Sequence, residues 1–236
     1  MAGNTARPPT VVAMGGGGFS MEPSNPLLDN YVLSLTGAAR PRICFVATAS
    51  GDAAEYIERF YAAFAPKRCA VSHLPLFRRS GESPRAQLLA QDVIYVGGGN
   101  TANLLAVWRV HGVDKAMLEA HAAGVVLAGV SAGMICWFEE SLTDSYGPVA
   151  PLKDGLGLLR GSACPHYDGE ADRRPAYRRL VGSGALAPGV AADDGAALVY
   201  RNGAFSEAVS SRPGAGAWRV DAAADEAALA VRYLGS

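Results

Sequence analysis

From Thr10 to Val130, short apolar runs alternate with longer amphipathic segments. Thr10–Met14, Arg42–Thr48, Ala70–Leu74, Asp92–Gly97 and Val125–Val130 are largely apolar runs, too short for buried helices. Continuous apolar runs of this length predict strands covered on both faces. Between them, Asn25–Leu35 reads as a helix with Asn25 as its cap and Pro26 in the first turn. Ala53–Phe64 carries Tyr56, Ile57, Phe60 and Phe64 at helical spacing, and Asn103–Ala122 reads as one further helix. The alternation predicts an α/β fold: a largely parallel sheet with helices on both faces.

After about residue 155 the texture changes. Strand candidates at Leu158–Cys164, Ala196–Tyr200, Ala204–Val209, Ala217–Val220 and Leu229–Tyr233 are separated by Gly, Pro and Asp turns, and one helix candidate, Asp172–Val181, intervenes. C-terminal hairpins are expected to extend the sheet or form a small edge layer. No repeat, linker or composition break divides the chain, so residues 1–236 are expected to form one domain, with 1–9 flexible.

Half of the 236 residues are hydrophobic and the net charge is −1, so a sizeable core is available. No charge excess points to nucleic acid or an anionic membrane. The four cysteines are scattered, with no C-x-x-C and no Cys/His pair at ligand spacing, so no metal site is expected. Cys44, Cys136 and Cys164 lie in apolar runs and read as buried thiols. There is no apolar signal-peptide core and no membrane-length run, which makes the cytoplasm the expected compartment.

The chemistry begins where the fifth strand meets Gly129-Val130-Ser131-Ala132-Gly133. A G-x-S-x-G pentapeptide between strand and helix holds a serine on a tight turn with its hydroxyl exposed. Such a serine needs a base, and the base needs an orienting acid. His73 ends a strand, and His111 and His121 lie on or near the preceding helix, whereas His166 follows a strand in the polar loop Cys164–Glu170. Loops at strand carboxyl ends are where open α/β sheets place their sites, which favours His166. Asp144, Asp168, Glu170, Asp193 and Asp194 are all candidates for the acid. Asp168 and Glu170 are too close to His166 in sequence for their side chains to reach back to its ring, whereas Asp193-Asp194-Gly195 lies at a strand end and can reach a neighbouring loop. An oxyanion hole needs two donors. Ala132 N–H is one. The other is expected in Gly97-Gly98-Gly99-Asn100-Thr101, which also reads as a helix cap at Asn100 or Thr101. Gly15–Gly18 lacks both the dinucleotide and P-loop patterns and reads as a loop on the same sheet edge.

Together, Val96–Thr101, Gly129–Gly133, Cys164-Pro165-His166-Tyr167 and Asp193-Asp194-Gly195 resemble peptidase E, the serine α-aspartyl dipeptidases related to cyanophycinase. Their order and spacing agree from about Val11 to Tyr233. The resemblance implies a class I glutamine amidotransferase-like fold with serine at the elbow; the nearby Cys136 is one helical turn further on. It implies Ser131 as nucleophile, His166 as base, and Gly98 or Gly99 with Ala132 as the oxyanion hole. It favours Asp194 as the acid, with Asp144 as the alternative. It also implies an arginine shortly after the histidine that reads the substrate's aspartate, for which Arg173 and Arg174 are nearest. Asn100 and Thr101 are expected beside the substrate.

The expected activity is therefore hydrolysis of short peptides, dipeptides with N-terminal Asp in particular, by an acyl-enzyme mechanism without cofactor. The partner expected is a small peptide, and the state a monomer or homodimer. Two other readings stay open. An α/β-hydrolase-type esterase would fit the order Ser131, Asp144, His166, but a late histidine is missing. A non-catalytic amidotransferase-like binding protein would show a disrupted triad.

Overall fold

The computed structural model describes residues 7–64, 69–79, 81 and 83–236. Most of the N-terminal stretch expected to be flexible lies outside them. From Arg7 onward the chain is anchored, with Arg7 Nη2 donating to Asp92 Oδ1 at 2.9 Å.

The first half builds β1 (Thr10–Met14), α1 (Gly18–Met21), α2 (Leu27–Ser34), β2 (Arg42–Val46), α3 (Ala54–Ala63), β3 (Ala70–His73), α4 (Pro84–Leu89), β4 (Val93–Val96), α5 (Thr101–His111), α6 (Val113–Ala122), β5 (Val126–Val130) and α7 (Ala132–Ile135). The second half adds β6 (Phe138–Thr143), β7 (Ala150–Leu152), β8 (Leu159–Cys164), α8 (Arg173–Gly182), β9 (Gly189–Ala192), β10 (Ala196–Arg201), β11 (Ala204–Ser210), β12 (Ala217–Val220), β13 (Glu226–Ala228) and β14 (Val231–Tyr233).

The main sheet has eight strands in the order β14-β11-β10-β1-β5-β4-β2-β3. The five strands from β1 to β3 are mutually parallel. Beyond them β10 runs antiparallel to both β1 and β11. The sheet is therefore mixed, not largely parallel as the alternation predicts. Its strands are apolar on both faces because both are covered. Val12, Met14, Phe45 and Tyr95 pack with Phe19, Leu28, Phe60 and Phe64 from α1, α2 and the α3 segment. Val11, Ala13, Val46 and Val96 face Leu88, Leu104, Trp108 and Met117 from α4, α5 and α6.

The C-terminal strands do more than edge this sheet. A second, six-stranded mixed sheet runs β13-β12-β9-β8-β6-β7. It shares the same core, with Leu159, Ala163, Val190 and Ala217 clustering with Ala196, Leu198 and Ala208 of the main sheet. Helix α8 covers its other face through Ala176, Tyr177, Leu180 and Val181. The helix expected over Asn103–Ala122 is interrupted by Gly112, whose φ of 68° ends α5 in a left-handed cap before α6 begins. Among the described residues, no helix is long and apolar enough to cross a membrane.

Candidate active site

Strand β5 delivers Ser131 to the carboxyl edge of the main sheet with φ 58° and ψ −111°. A side-chain-bearing residue in this region is strained, as at other nucleophile turns. The strain is held by hydrogen bonds on both sides. Ser131 N–H donates to Met14 O at 3.0 Å, and Ser131 O accepts from Met134 and Ile135 N–H at 2.8 and 3.1 Å. The turn closes so tightly that a Cβ on Gly129 would lie 2.1 Å from Gly133 O.

His166 is brought in by β8 from the second sheet. It too is left-handed, with φ 51°. Its N–H donates to Gly15 O at 3.3 Å. Ser131 and His166 are thus tied to consecutive carbonyls at the end of β1. The His166 ring turns Nδ1 to Asp194 Oδ1 at 2.7 Å, and both side chains are nearly buried, 11% and 12% exposed. That hydrogen bond, aided by the charges of His166 and Arg212, outweighs burial and holds the Asp194 carboxyl below its ordinary range. Asp168 Oδ1 accepts the Asp194 N–H at 2.8 Å and so fixes its backbone. Glycines make room for the pair: a Cβ on Gly16 would lie 1.9 Å from Asp194 Oδ1, and one on Gly169 would lie 2.4 Å from Asp194 Oδ2. Ser131 Oγ has no hydrogen-bond partner among the described residues.

A cleft of about 270 Å³ opens beside Ser131, lined by Gly99, Asn100, Asp144, Ser145, Glu170 and Arg173. Arg173 is the buried cation of this cleft, its side chain only 3% exposed. Its Nε donates to Glu170 Oε2 at 2.7 Å and its Nη1 to Leu142 O at 3.4 Å. Asp144 Oδ1 lies 3.6 Å from Nη2 and is itself 58% exposed. Asp144 therefore sits with Arg173, while Asp194 sits with His166. Asn100 caps α5, accepting from Asn103 N–H at 2.9 Å and donating to Ser145 O at 2.9 Å.

Two expected contacts fall elsewhere. Thr101 does not line the cleft; it is 1% exposed, and its N–H donates to Ser145 Oγ. Arg174, one residue after Arg173 on α8, turns away. It donates to Glu226 and lies over the Trp218 ring at 4.5 Å. Of the loop glycines, Gly98 N–H is engaged by Tyr56 Oη at 3.1 Å. Gly99 N–H and Ala132 N–H have no protein acceptor among the described residues. Asp193, a candidate acid in the sequence, accepts from Gly216 N–H and Trp218 Nε1, and burial pushes its carboxyl up. Sequence reasoning missed Tyr56 and Ser145. Tyr56 carries only the signal of a core position at helical spacing, and Ser145 none beyond its place next to Asp144.

Comparison with known proteins gives the family. The profile of peptidase family S51 matches residues 11–208. The chain is 55% identical over 228 residues to a Bacillus subtilis (strain 168) protein named uncharacterized peptidase YgaJ, covering 95% of this chain and 99% of that one. It is 30% identical over 144 residues to Peptidase E of Streptomyces coelicolor (strain ATCC BAA-471 / A3(2) / M145), covering 59% of this chain and 58% of that one. The crystal structure of a peptidase from an acI-B1 Actinobacterium shares the fold, with a TM-score of 0.74 at 18% identity and 96% of each chain covered. The chain belongs to peptidase family S51, the peptidase E family, and is a serine-type peptidase.

Proposed function

We propose that this peptidase is an exopeptidase that removes N-terminal aspartate from short peptides, dipeptides above all. The observation that carries the reading is Arg173, a guanidinium buried in the same cleft as Ser131. Its Nε and Nη1 are held by Glu170 and Leu142 O, and Nη2, 3.6 Å from Asp144 Oδ1, is the nitrogen that suits a substrate carboxylate. An uncharged Asn or Ala side chain would leave it without that partner, which is how such sites discriminate. The Asp144 and Glu170 carboxylates in the same cleft suit the substrate's α-ammonium, and reading that group restricts cleavage to the chain's first residue.

In this mechanism Ser131 Oγ attacks the first peptide carbonyl as His166 Nε2 takes its proton. Asp194 holds the Nδ1–H and the imidazolium that forms. The oxyanion is received by Ala132 N–H and Gly99 N–H. Collapse breaks the C–N bond, and the imidazolium protonates the leaving amine. Water, deprotonated by His166, then releases aspartate and restores Ser131. Ser131 Oγ and His166 are not hydrogen-bonded to each other, and nucleophile–base bonds commonly tighten only around substrate. Four free, buried cysteines suit a reducing compartment, and the cytoplasm is the proposed one.

The test is a panel of Asp-Leu, Asn-Leu, Ala-Leu and isoaspartyl-Leu with the purified protein. Asp-Leu should be hydrolysed far faster than the rest, and Ser131→Ala should remove nearly all turnover with the fold intact. Equal rates on Asp-Leu, Asn-Leu and Ala-Leu would remove the carboxylate-reading role of Arg173. A Ser131→Ala variant keeping more than about a tenth of the turnover would exclude the serine mechanism.

A further inference from the structure

The loop after β4 has its backbone amides committed, with one exception. Gly97 N–H donates to Val46 O at 3.1 Å and Asn100 N–H to Ala49 O at 2.8 Å. Gly98 N–H donates to Tyr56 Oη at 3.1 Å. Gly99 N–H has no acceptor among the described residues. The loop lies against the nucleophile, since a Cβ on Gly98 would stand 3.3 Å from Ser131 Cβ and 3.7 Å from Ser131 Oγ. Two anchors are backbone carbonyls. The third is a side-chain hydroxyl, and it holds the peptide plane immediately before the Gly98–Gly99 unit.

That hydroxyl is itself held. The Tyr56 ring is 6% exposed and packs edge-on to Phe45 and tilted on Phe19, with centroids 5.0 and 5.5 Å away. Its Oη lies 2.7 Å from Ser20 Oγ. Ser20 is on α1, just beyond the Gly15–Gly18 loop whose first carbonyl holds His166. A line of two hydrogen bonds therefore runs from Ser20 through Tyr56 to Gly98. Consecutive glycines place little steric restraint on peptide rotation. A flipped 98–99 peptide would aim a carbonyl at the position that needs a donor.

We propose that Tyr56, backed by Ser20, is a positioning residue that sets the Gly98–Gly99 peptide so that Gly99 N–H faces the oxyanion. This rests on the reading of Gly99 as an oxyanion donor. Tyr56 touches no substrate atom and acts through Gly98. Its influence is therefore specific to the transition state, where the oxyanion exists, and leaves ground-state binding unchanged. Removing an oxyanion donor outright costs about 10²–10³ in turnover, and loosening one costs less.

The test uses Tyr56→Phe, which keeps the ring in its aromatic cluster, together with Ser20→Ala. With the peptide that wild type hydrolyses best, Tyr56→Phe should lower kcat about tenfold while KM stays within about twofold. The α-aminoboronic acid analogue of aspartate, whose Ser131 adduct is tetrahedral, should lose affinity by the same factor. Free aspartate should bind unchanged. Ser20→Ala should move the same quantities in the same direction by a smaller factor, and it decides the matter if Tyr56→Phe does not fold. Unchanged kcat and boronate affinity in the folded variant, or a rise in KM with kcat intact, would overturn the assignment. If wild type hydrolyses no peptide of the panel and binds no boronate, the underlying reading fails and this one falls with it. An active wild type with an indifferent Tyr56→Phe refutes this inference alone.

Discussion

Replacing Asp194 by asparagine changes a charge and little else. The side chains are nearly isosteric, and Gly16 and Gly169 press on the carboxylate so closely that asparagine has no room to move aside. The backbone stays tied to Asp168. What is lost is the anion 2.7 Å from His166 Nδ1, in a position where both groups are close to nine-tenths buried. Two unit charges about 4 Å apart interact by about 4 kcal/mol at an effective dielectric constant of about 20. Each 1.36 kcal/mol is about tenfold in rate, so loss of imidazolium stabilisation alone predicts a drop of about 10³ in kcat. Loss of tautomer control adds to it, and a range of about 10²–10⁴ is expected. The assay is release of free leucine from Asp-Leu, with kcat and KM separated, at a pH where wild-type turnover is maximal. KM should change little, because Asp194 does not line the substrate cleft. A loss smaller than tenfold, or a larger loss in Asp144→Asn, would refute the assignment of the orienting role to Asp194.

Three further outcomes follow from the same geometry. Gly16→Ala should fold but lose at least tenfold in turnover, because its methyl would overlap Asp194 Oδ1 and approach His166 Nδ1 within 3.0 Å; wild-type kinetics in this variant would contradict it. Asp144→Asn should raise KM for Asp-Leu several-fold and leave kcat within about threefold, as expected for a group that binds the substrate ammonium and takes no part in proton transfer. For Asp92, burial pushes the carboxyl up, but hydrogen bonds from Arg42 and Arg7 outweigh it and hold it well below the usual range. Its folded pKa is depressed, so its stabilisation is complete above about pH 4–5 and is lost as the pH falls toward the folded value. Asp92→Asn should therefore lower Tm by about 4–8 °C at pH 7, for about 2 kcal/mol of charge-assisted bonding, and the gap should narrow steadily as the pH falls below about 4; a constant gap in a thermal-melt series would exclude the linkage.

The elbow was legible because three local signals coincide at Ser131: an apolar strand, flanking glycines and a following helix. His166 and Asp194 were legible as strand-end residues, and the pairing between them followed from resemblance. The second sheet was not. Strand β6 contains Glu139 and Glu140, and β9 is the run Gly189-Val190-Ala191-Ala192, which has no distinguishing pattern. Both exist because β6, β8 and β9 pair in parallel across long sequence separations, a tertiary effect that short windows do not carry. The two arginines of α8 show a different gap. Consecutive helical residues point about 100° apart, so only one could face the cleft. Which one depended on where Trp218 and Glu226 lie, and those come from strands β12 and β13 on the far sheet.

The same second sheet explains how Ser131 and His166, from different layers, reach one sheet edge. Ser131 belongs to the main sheet and His166 to the second, and both occupy left-handed conformations that cost about 1–3 kcal/mol each unless the surroundings hold them. Met14 O holds one and Gly15 O the other. Gly16 O then accepts Gly195 N–H at 3.1 Å, next to Asp194. Three successive carbonyls at the end of one strand therefore register Ser131, His166 and the segment bearing Asp194. Strand β1 is buried along its whole length and paired on both sides, to β5 and β10, so this edge is among the least deformable parts of the molecule. Precision at the site comes from backbone atoms of β1 and its loop. Substitutions that shift this loop should disable hydrolysis as thoroughly as loss of the reacting side chains, though none of Met14, Gly15 or Gly16 brings a reacting side chain.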